Sequence, residues 1–223
     1  MASTKASPDS FSGFPAALIT YFDELEENNT RGWFTENRHR YDAYVRGPMD
    51  AFLASVAAEF GAGHVFRPNR DTRFSNDKTP YKTNIGAIVE RNGVVFYVHL
   101  DGGGLMAASG YYQMAADQIQ RFRAAVADDE SGPALEKIVA DATATGLVLH
   151  DAALKRVPSP FGQDHPRGEL LRRKSMTLSK QFGTPAWMKT KAARDRIVEL
   201  WWATAPLNAW LAANVGPTDL PQR

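Results

Sequence analysis

The sequence predicts an α+β fold: an antiparallel β-sheet, a meander around residues 70–112, packed with N-terminal and C-terminal α-helices. Two runs rich in β-branched and aromatic residues, 85–90 and 94–100, flank Arg91-Asn92-Gly93. An Asn-Gly pair between two such runs favours a β-hairpin. A glycine turn then leads to a third run over 105–112. Because short turns join only antiparallel neighbours, the three strands are predicted to form an antiparallel sheet.

Helices are predicted before and after this meander, from apolar residues that recur at helical spacing. The N-terminal helices are predicted after Pro15, over 33–45 and from Pro48 to residue 60, with Gly47-Pro48 as the break between the last two. Further helices are predicted over 115–129, 133–143, 169–174 and 192–204. Extended segments are predicted over 70–74, 147–150, 154–157 and 177–182.

Length and composition indicate one folded domain. A chain of 223 residues with 43% hydrophobic residues can bury a sizeable core, so a single domain is predicted over 13–213 between flexible tails at 1–12 and 214–223. The net charge of +1 excludes a polycation built for nucleic acid, so attraction to anions must come from local clusters. The first twelve residues contain no apolar run, and no 18-residue apolar segment exists. A cytoplasmic protein without a membrane partner is therefore predicted.

The sequence contains few side chains that could bind a metal. Cysteine is absent, which excludes disulfides, thiolate nucleophiles and cysteine-ligated metals. The five histidines include no pair at the spacing of metal ligands on a helix. We therefore predict no metal and no cofactor. A metal site would need His99 together with Asp101 or Asp71 across strands.

The stretch between the N-terminal helices and the meander has the densest set of charged, polar and aromatic side chains. It is called the central block here and reads Arg70-Asp71-Thr72-Arg73-Phe74-Ser75-Asn76-Asp77-Lys78-Thr79-Pro80-Tyr81-Lys82. The other distinctive blocks are Asn28-Asn29-Thr30-Arg31-Gly32-Trp33-Phe34, Gly110-Tyr111-Tyr112, Arg123, Lys155-Arg156 and Asp164-His165-Pro166. Together these blocks resemble the DUF2461 family, over about residues 14–211. The resemblance implies no activity; it implies that these residues are distinguishing features of the family.

Cations in and beside the central block outnumber its carboxylates by three. The cations are Arg67, Arg70, Arg73, Lys78 and Lys82, and the carboxylates are Asp71 and Asp77. Arginine offers a planar fork of donors suited to phosphate or carboxylate, so this charge excess predicts an anion-binding pocket. The predicted ligand-binding residues are Arg70, Arg73, Lys78 and Lys82, with Tyr81 as a hydroxyl donor or stacking partner. The two carboxylates are the candidates for acid–base catalysis. The alternative is an ion-pair network that fixes the loop to the sheet.

Two other segments are candidates for the same pocket. Asn29 and Arg31 either extend the pocket rim or belong to a helix end whose neighbouring aromatic residues are core. A second basic stretch contains Lys155, Arg156 and His165 and ends in Arg172-Arg173-Lys174. It either completes the central pocket, as the family resemblance suggests, or binds nucleic-acid phosphates, or complements the dipole of a short helix.

The favoured function is a cytoplasmic protein that binds an anionic or phosphorylated small molecule, with enzymatic activity left open. The alternatives are a nucleic-acid-binding module that uses both basic stretches, and a scaffold that binds partner proteins. Nucleic acid is the less favoured partner. Salt separates the first two functions, because binding through many phosphates weakens steeply with salt whereas two or three contacts weaken little.

Overall fold

The computed structural model describes residues 11–73, 75–150 and 152–221. The strands within these ranges are β1 Gly63–Val65, β2 Asn84–Arg91, β3 Val94–Asp101, β4 Gly104–Tyr111, β5 Val148–Leu149 and β6 Met176–Gly183. They form a six-stranded antiparallel sheet in the order β1-β2-β3-β4-β6-β5. The helices are α1 Ala16–Glu27, α2 Arg31–Glu36, α3 Arg38–Tyr41, α4 Gly47–Phe60, α5 Ala116–Ala127, α6 Ser131–Ala144, α7 Gly168–Leu171, α8 Ala192–Ala203 and α9 Ala205–Asn214. The predicted α+β class is confirmed.

The predicted meander is confirmed as β2, β3 and β4. The turn between β2 and β3 is closed by Asn92 at φ 53° and Gly93 at φ 82°, the left-handed geometry that asparagine and glycine tolerate best. The extended segments predicted over 147–150 and 177–182 are confirmed as β5 and β6. The strand predicted over 154–157 is wrong, because the described chain has no strand between β5 and β6.

The strand predicted over 70–74 is also wrong for its described residues, 70–73; Phe74 lies outside the described ranges. The nearest β-pairing in the described chain is a β-bridge between Asn69, directly before this segment, and Tyr81. Side chains explain the difference, because several of them hydrogen-bond to main-chain N–H groups two residues further on. Asp71 accepts from the N–H of Arg73, and Asp77 accepts from that of Thr79. Such local bonds compete with strand pairing.

The predicted helix break at Gly47-Pro48 is wrong, and the helix predicted over 33–45 is divided earlier, at Asn37. From α3 the chain continues through one π-helical turn, Asp42–Arg46, directly into α4. The wider turn lets the N–H of Gly47 bond to the carbonyl of Asp42. Pro48, which lacks an N–H, then lies in the first turn of α4, where no donor is needed.

The chain divides into two compact units, each assembled from separate segments. The first unit contains the described residues of Met1–Val89, Tyr97–Ala107 and Gln181–Glu199. The second contains those of Glu90–Phe96, Ala108–Lys180 and Leu200–Arg223. The single domain expected over 13–213 stays a prediction.

Each unit has its own apolar core. In the first unit the rings of Phe11, Phe14 and Phe52 pack on one another, with ring centroids 5.1 to 5.8 Å apart. Phe11 is buried although the predicted flexible tail includes it, and residues 1–10 of that tail lie outside the described residues. In the second unit the Phe122 and Trp210 rings meet edge to face at 6.1 Å. Aromatic pairs of this kind add to the free energy gained from burial.

The segment after α9 is hydrogen-bonded to α5 where the sequence predicts a flexible tail. The side chain of Gln118 donates to the carbonyl of Gly216 at 2.8 Å. Asp117 accepts hydrogen bonds from the Thr218 hydroxyl and from the N–H of Asp219. The N–H of Asp219 is the main cause that lowers the pKa of Asp117 to about 2. None of the helices in the described ranges combines the length and apolar character needed to cross a membrane.

Candidate functional site

The central block lies at the tip of an irregular hairpin in the first unit. β1 pairs with β2 in antiparallel register, with Gly63 opposite Val89. Beyond β1 the two chain segments stay together through three main-chain hydrogen bonds of 2.8 to 2.9 Å, Phe66 to Gly86, Lys82 to Pro68 and Arg70 to Pro80. Residues 66–70 therefore run beside 80–86, and the described residues between them, 71–73 and 75–79, form the tip.

A cavity of about 470 Å³ opens beside this hairpin. Its lining is made of Phe66, Arg67, Arg70, Asp71, Thr72, Ser75, Asp77, Lys82, Asn84, Gly86 and Tyr97. All of these residues belong to the first unit. The lining contains three cations, two carboxylates and several uncharged hydrogen-bonding side chains, so it is chemically suited to a small polar anion.

One of the three lining cations is already engaged by a carboxylate. The guanidinium of Arg70 forms an ion pair with Asp77 and donates to the Thr79 hydroxyl at 2.7 Å. Asp77 is held further by the N–H and the hydroxyl of Thr79, at 2.9 and 2.8 Å. This part of the block is the ion-pair network that the sequence offered as the alternative to a ligand site.

The other lining carboxylate, Asp71, pairs with Arg73 at 2.7 Å. Hydrogen bonds from the side chain and the main chain of Arg73 lower the pKa of Asp71 to about 2. A general base for neutral pH needs a pKa near the working pH. The pairing therefore argues against Asp71, a sequence-based candidate, as the acid–base group of the cavity.

Arg67 and Lys82 are the remaining lining cations. Neither makes an ion pair with any residue in the described part of the chain. The ammonium of Lys82 lies 5.8 Å from the centroid of the Phe66 ring, a cation–π contact that orients the side chain without neutralising it. The charge of Arg67 contributes to the lowered pKa of Asp71, but neither cation is committed to an ion pair among the described residues, so both can meet a bound anion.

Several residues predicted as ligand contacts lie outside the lining. The side chain of Arg73 is 77% exposed and its guanidinium lies on Asp71. The ammonium of Lys78 donates to the carbonyl of Thr72 at 2.9 Å, inside the tip. Arg31 lies exposed in the first turn of α2.

Tyr81 and Asn29 instead attach the hairpin to the N-terminal helices. The ring of Tyr81 is buried and stacks on Phe34, with centroids 3.8 Å apart and ring planes 10° from parallel. The side-chain amide of Asn29 donates to the carbonyl of Tyr81 at 2.9 Å and accepts from its N–H at 3.1 Å. Asn29 thus supplies the main chain of Tyr81 with both of its hydrogen-bond partners.

Replacing Asn29 with alanine is expected to lower the free energy of unfolding by about 2 kcal/mol, because two half-buried main-chain groups lose their partners. Asn28→Ala is the matched control, since the Asn28 side chain is exposed and bonds only within its own helix end, to the carbonyl of Glu24. Urea denaturation of both variants measures the difference. Equal losses would mean that Asn29 does not secure the hairpin.

The candidates from the second basic stretch line a different cavity, within the second unit. Lys155, Arg156 and His165 border a space of about 290 Å³. Arg172 beside them pairs with Glu169. The neighbouring Arg173 side chain is only 6% exposed and bonds to Glu169 and to the carbonyl of His150. Much of the predicted basic patch is therefore engaged within the protein.

The sequence-based site missed Tyr97, His99 and Asp101, three residues on β3. Tyr97 lines the first cavity, and its hydroxyl lies 2.9 Å from Nδ1 of His99. Nε2 of His99 lies 3.0 Å from an oxygen of Asp101. Their spacing is a signal that could have found them, because Tyr97 and His99 alternate along the predicted strand 94–100 and Asp101 follows it directly. The sequence patterns nominate His99 and Asp101 only as metal ligands.

The Tyr97 hydroxyl reaches the cavity because the neighbouring strand has a glycine there. A Cβ atom on Gly86 would lie 2.9 Å from the Tyr97 hydroxyl oxygen and 3.2 Å from the Phe66 ring. A side chain at position 86 would therefore displace the hydroxyl or the ring. Gly86 keeps this wall of the cavity open.

Comparison of the sequence with known proteins identifies its family. The family model described as a conserved hypothetical protein (DUF2461) matches residues 17–210. No curated protein and no solved structure matches the chain significantly. The matched span contains all the cavity-lining residues as well as the three residues of β3. The chain therefore belongs to the DUF2461 family, as its motifs predict.

Proposed function

We propose that the first cavity binds a small molecule through a phosphate or another anionic group. The observation that carries the proposal is the pair formed by Arg67 and Lys82, two lining cations that make no ion pair among the described residues. A bound dianion would give both cations charge-assisted hydrogen bonds, which are about twice as strong as neutral ones. We place the protein in the cytoplasm and leave open whether it is an enzyme.

The remaining lining side chains support a compact polar ligand. Thr72, Ser75 and Asn84 can donate hydrogen bonds to anionic oxygens. Arg70 is fixed by Asp77 and Thr79, so its remaining N–H donors are held at a defined position. The volume of about 470 Å³ falls in the range of sites for small molecules and cofactors.

A nucleic-acid interface is the second candidate, favoured only by the cavity that Lys155, Arg156 and His165 border. Three arginines of the second basic stretch could have bound nucleic-acid phosphates, but they form hydrogen bonds or ion pairs within the protein. Arg167 is buried and donates to carbonyls at the end of α5, and Arg172 and Arg173 both pair with Glu169. Few cations are left to neutralise successive phosphates, so the small-anion proposal is preferred. A scaffold without a ligand is the third candidate.

Thermal unfolding with a panel of ligands tests the proposal. The panel contains inorganic phosphate, nucleotides, sugar phosphates, dicarboxylates and a short oligonucleotide, at low and moderate salt with ionic strength matched by chloride. We expect a small phosphate to raise the melting temperature, because a ligand at a hundred times its Kd stabilises the folded state by about 2.7 kcal/mol. The shift is expected to persist at moderate salt.

Two results would contradict the proposal. Stabilisation by the oligonucleotide alone, lost as salt rises, would favour the nucleic-acid interface. No stabilisation by any ligand in the panel would favour the scaffold.

A further inference from the structure

We propose that Tyr97, His99 and Asp101 form a proton relay that makes the Tyr97 hydroxyl the acid–base catalyst of the cavity. The inference rests on the proposed function, because it assigns a chemical role at the site where the anion would bind. The substrate class that it implies is a phosphorylated or carboxylated small molecule that also has a hydroxyl group to be deprotonated.

The relay is built by strand geometry. Residues at i, i+2 and i+4 of a strand share one face, so Tyr97, His99 and Asp101 project from the same side of β3. The hydroxyl lies 2.9 Å from Nδ1 of His99, and Nε2 of the same ring lies 3.0 Å from Asp101. Both distances are those of good hydrogen bonds. A hydroxyl, a base and a carboxylate that orients the base are the arrangement by which enzymes activate weak hydroxyl groups.

The carboxylate sets the direction of the relay. One oxygen of Asp101 accepts from the N–H of Gly103 at 2.8 Å, which fixes the side chain at the turn between β3 and β4. The other oxygen faces His99, and an ionised carboxylate can only accept. Nε2 therefore carries the proton, and Nδ1 presents its lone pair to the hydroxyl of Tyr97.

The proton transfer balances within these three residues and the ligand. As the proton of the ligand hydroxyl moves to the phenolic oxygen of Tyr97, the phenolic proton moves to Nδ1 of His99. The resulting imidazolium is stabilised by Asp101, and the ligand alkoxide accepts a hydrogen bond from the Tyr97 hydroxyl, which gains one proton as it loses another. The reverse transfers return the proton to a product.

One end of the relay faces the cavity, and the other end is accessible to water. Tyr97 opens into the cavity, where Gly86 leaves room for the hydroxyl. The His99 side chain is 17% exposed and that of Asp101 is 41% exposed. The proton on His99 can therefore be exchanged with solvent beside Asp101 while the ligand occupies the cavity. Tyr97 is the catalytic residue of this proposal, and His99 and Asp101 act through it.

Reaction with an aryl sulfonyl fluoride tests the relay without knowledge of the substrate. The phenolic oxygen attacks sulfur, fluoride leaves, and His99 accepts the phenolic proton. The products are an aryl sulfonate ester on tyrosine, fluoride and the His99 imidazolium, which then releases its proton to solvent. Peptide mass spectrometry gives the labelling rate of each tyrosine. Tyr112 and Tyr44, which are 65% and 40% exposed, serve as internal controls.

We expect Tyr97 to be labelled at least ten times faster than Tyr112, although Tyr112 is more accessible. His99→Phe should reduce the rate at Tyr97 at least tenfold, and Asp101→Asn should reduce it less. The rate at Tyr112 should stay unchanged in both variants, and the buried Tyr21 and Tyr111 should stay unlabelled, which verifies that both variants are folded. As an independent measurement, the ¹⁵N chemical shifts of His99 should report a proton on Nε2 in the wild-type protein and a change of tautomer population in Asp101→Asn.

The outcomes separate the relay from anion binding. Labelling of Tyr97 no faster than Tyr112, or a rate that His99→Phe leaves unchanged, would overturn the relay. A proton on Nδ1 of His99 in the wild-type protein would overturn it as well. Inorganic phosphate should protect Tyr97 and not Tyr112. Rapid, His99-dependent labelling without protection by phosphate would uphold the relay and contradict the proposed function.

Discussion

Replacing Arg67 and Lys82 together with glutamine is expected to raise the Kd for the stabilising phosphate about a hundredfold. Each residue is expected to contribute one charge-assisted hydrogen bond, worth about 1.5–3 kcal/mol. Because 1.4 kcal/mol corresponds to a factor of ten in Kd, loss of both bonds gives at least this effect. The free energy of unfolding should change little, since neither side chain makes an ion pair within the described residues. Isothermal titration calorimetry measures the Kd, and urea denaturation the stability.

Arg73→Gln is the matched control for this variant. It removes a cation from the same block, but its side chain is 77% exposed and lies outside the cavity lining. We expect it to raise the Kd less than tenfold, because its loss acts on the anion only through the lining carboxylate Asp71, which loses its ion pair. A similar loss of affinity in Arg73→Gln would mean that phosphate affinity depends on the net charge of the central block and not on contacts with Arg67 and Lys82. An unchanged Kd in the double variant would show that phosphate does not bind in the cavity.

The Gly110→Ala substitution is expected to lower the free energy of unfolding by about 3 kcal/mol or more. Gly110 has a φ of 138°, which an alanine adopts only with strain. Its new Cβ would also lie 2.0 Å from the carbonyl oxygen of Met176 and 2.9 Å from the Cα of Thr177. These are main-chain atoms of β6, so they cannot yield as a flexible side chain would. Overpacking of a closely packed site adds about 1–3 kcal/mol to the strain.

Gly32→Ala provides the control for the same chemical change. Gly32 lies in α2, and apart from its chain neighbours and the backbone of its own helix no atom lies within 4 Å of the added Cβ. There the substitution should leave stability unchanged or raise it by up to about 1 kcal/mol, because alanine favours a helix more than glycine does. Urea denaturation of both variants gives the comparison. If Gly110→Ala is as stable as the wild-type protein, the main chains of β4 and β6 do not approach each other this closely at Gly110.

Local signals in the sequence determined the fold class and most of the secondary structure. Asn92-Gly93 between two strand-forming runs is sufficient to place the β2–β3 hairpin, because the left-handed turn depends on those two residues. The amphipathic spacing after Pro15 likewise predicts α1. The local signal at Gly47-Pro48 was wrong, because no helix break occurs there. The helix accommodates the proline through a π-helical turn, which the spacing of apolar residues does not reveal.

The sequence also determined that the central block is unusually rich in charge, but only the tertiary structure decided which charges face the cavity. Arg73 and Lys78 have the same chemistry as Arg67 and Lys82, yet Asp71 and the carbonyl of Thr72 hold the first two within the tip. Which cations face the cavity depends on the position of residues 66–70 beside residues 80–86. Main-chain hydrogen bonds between these two segments fix that position.

The same reason explains why the wall formed by Tyr97 and Gly86 could not be read from the sequence. The two residues belong to different strands, and their contact depends on the registration of β3 against β2. Composition and periodicity describe a residue and its near neighbours along the chain. A cavity is made by side chains that folding brings together, so its lining is decided by packing.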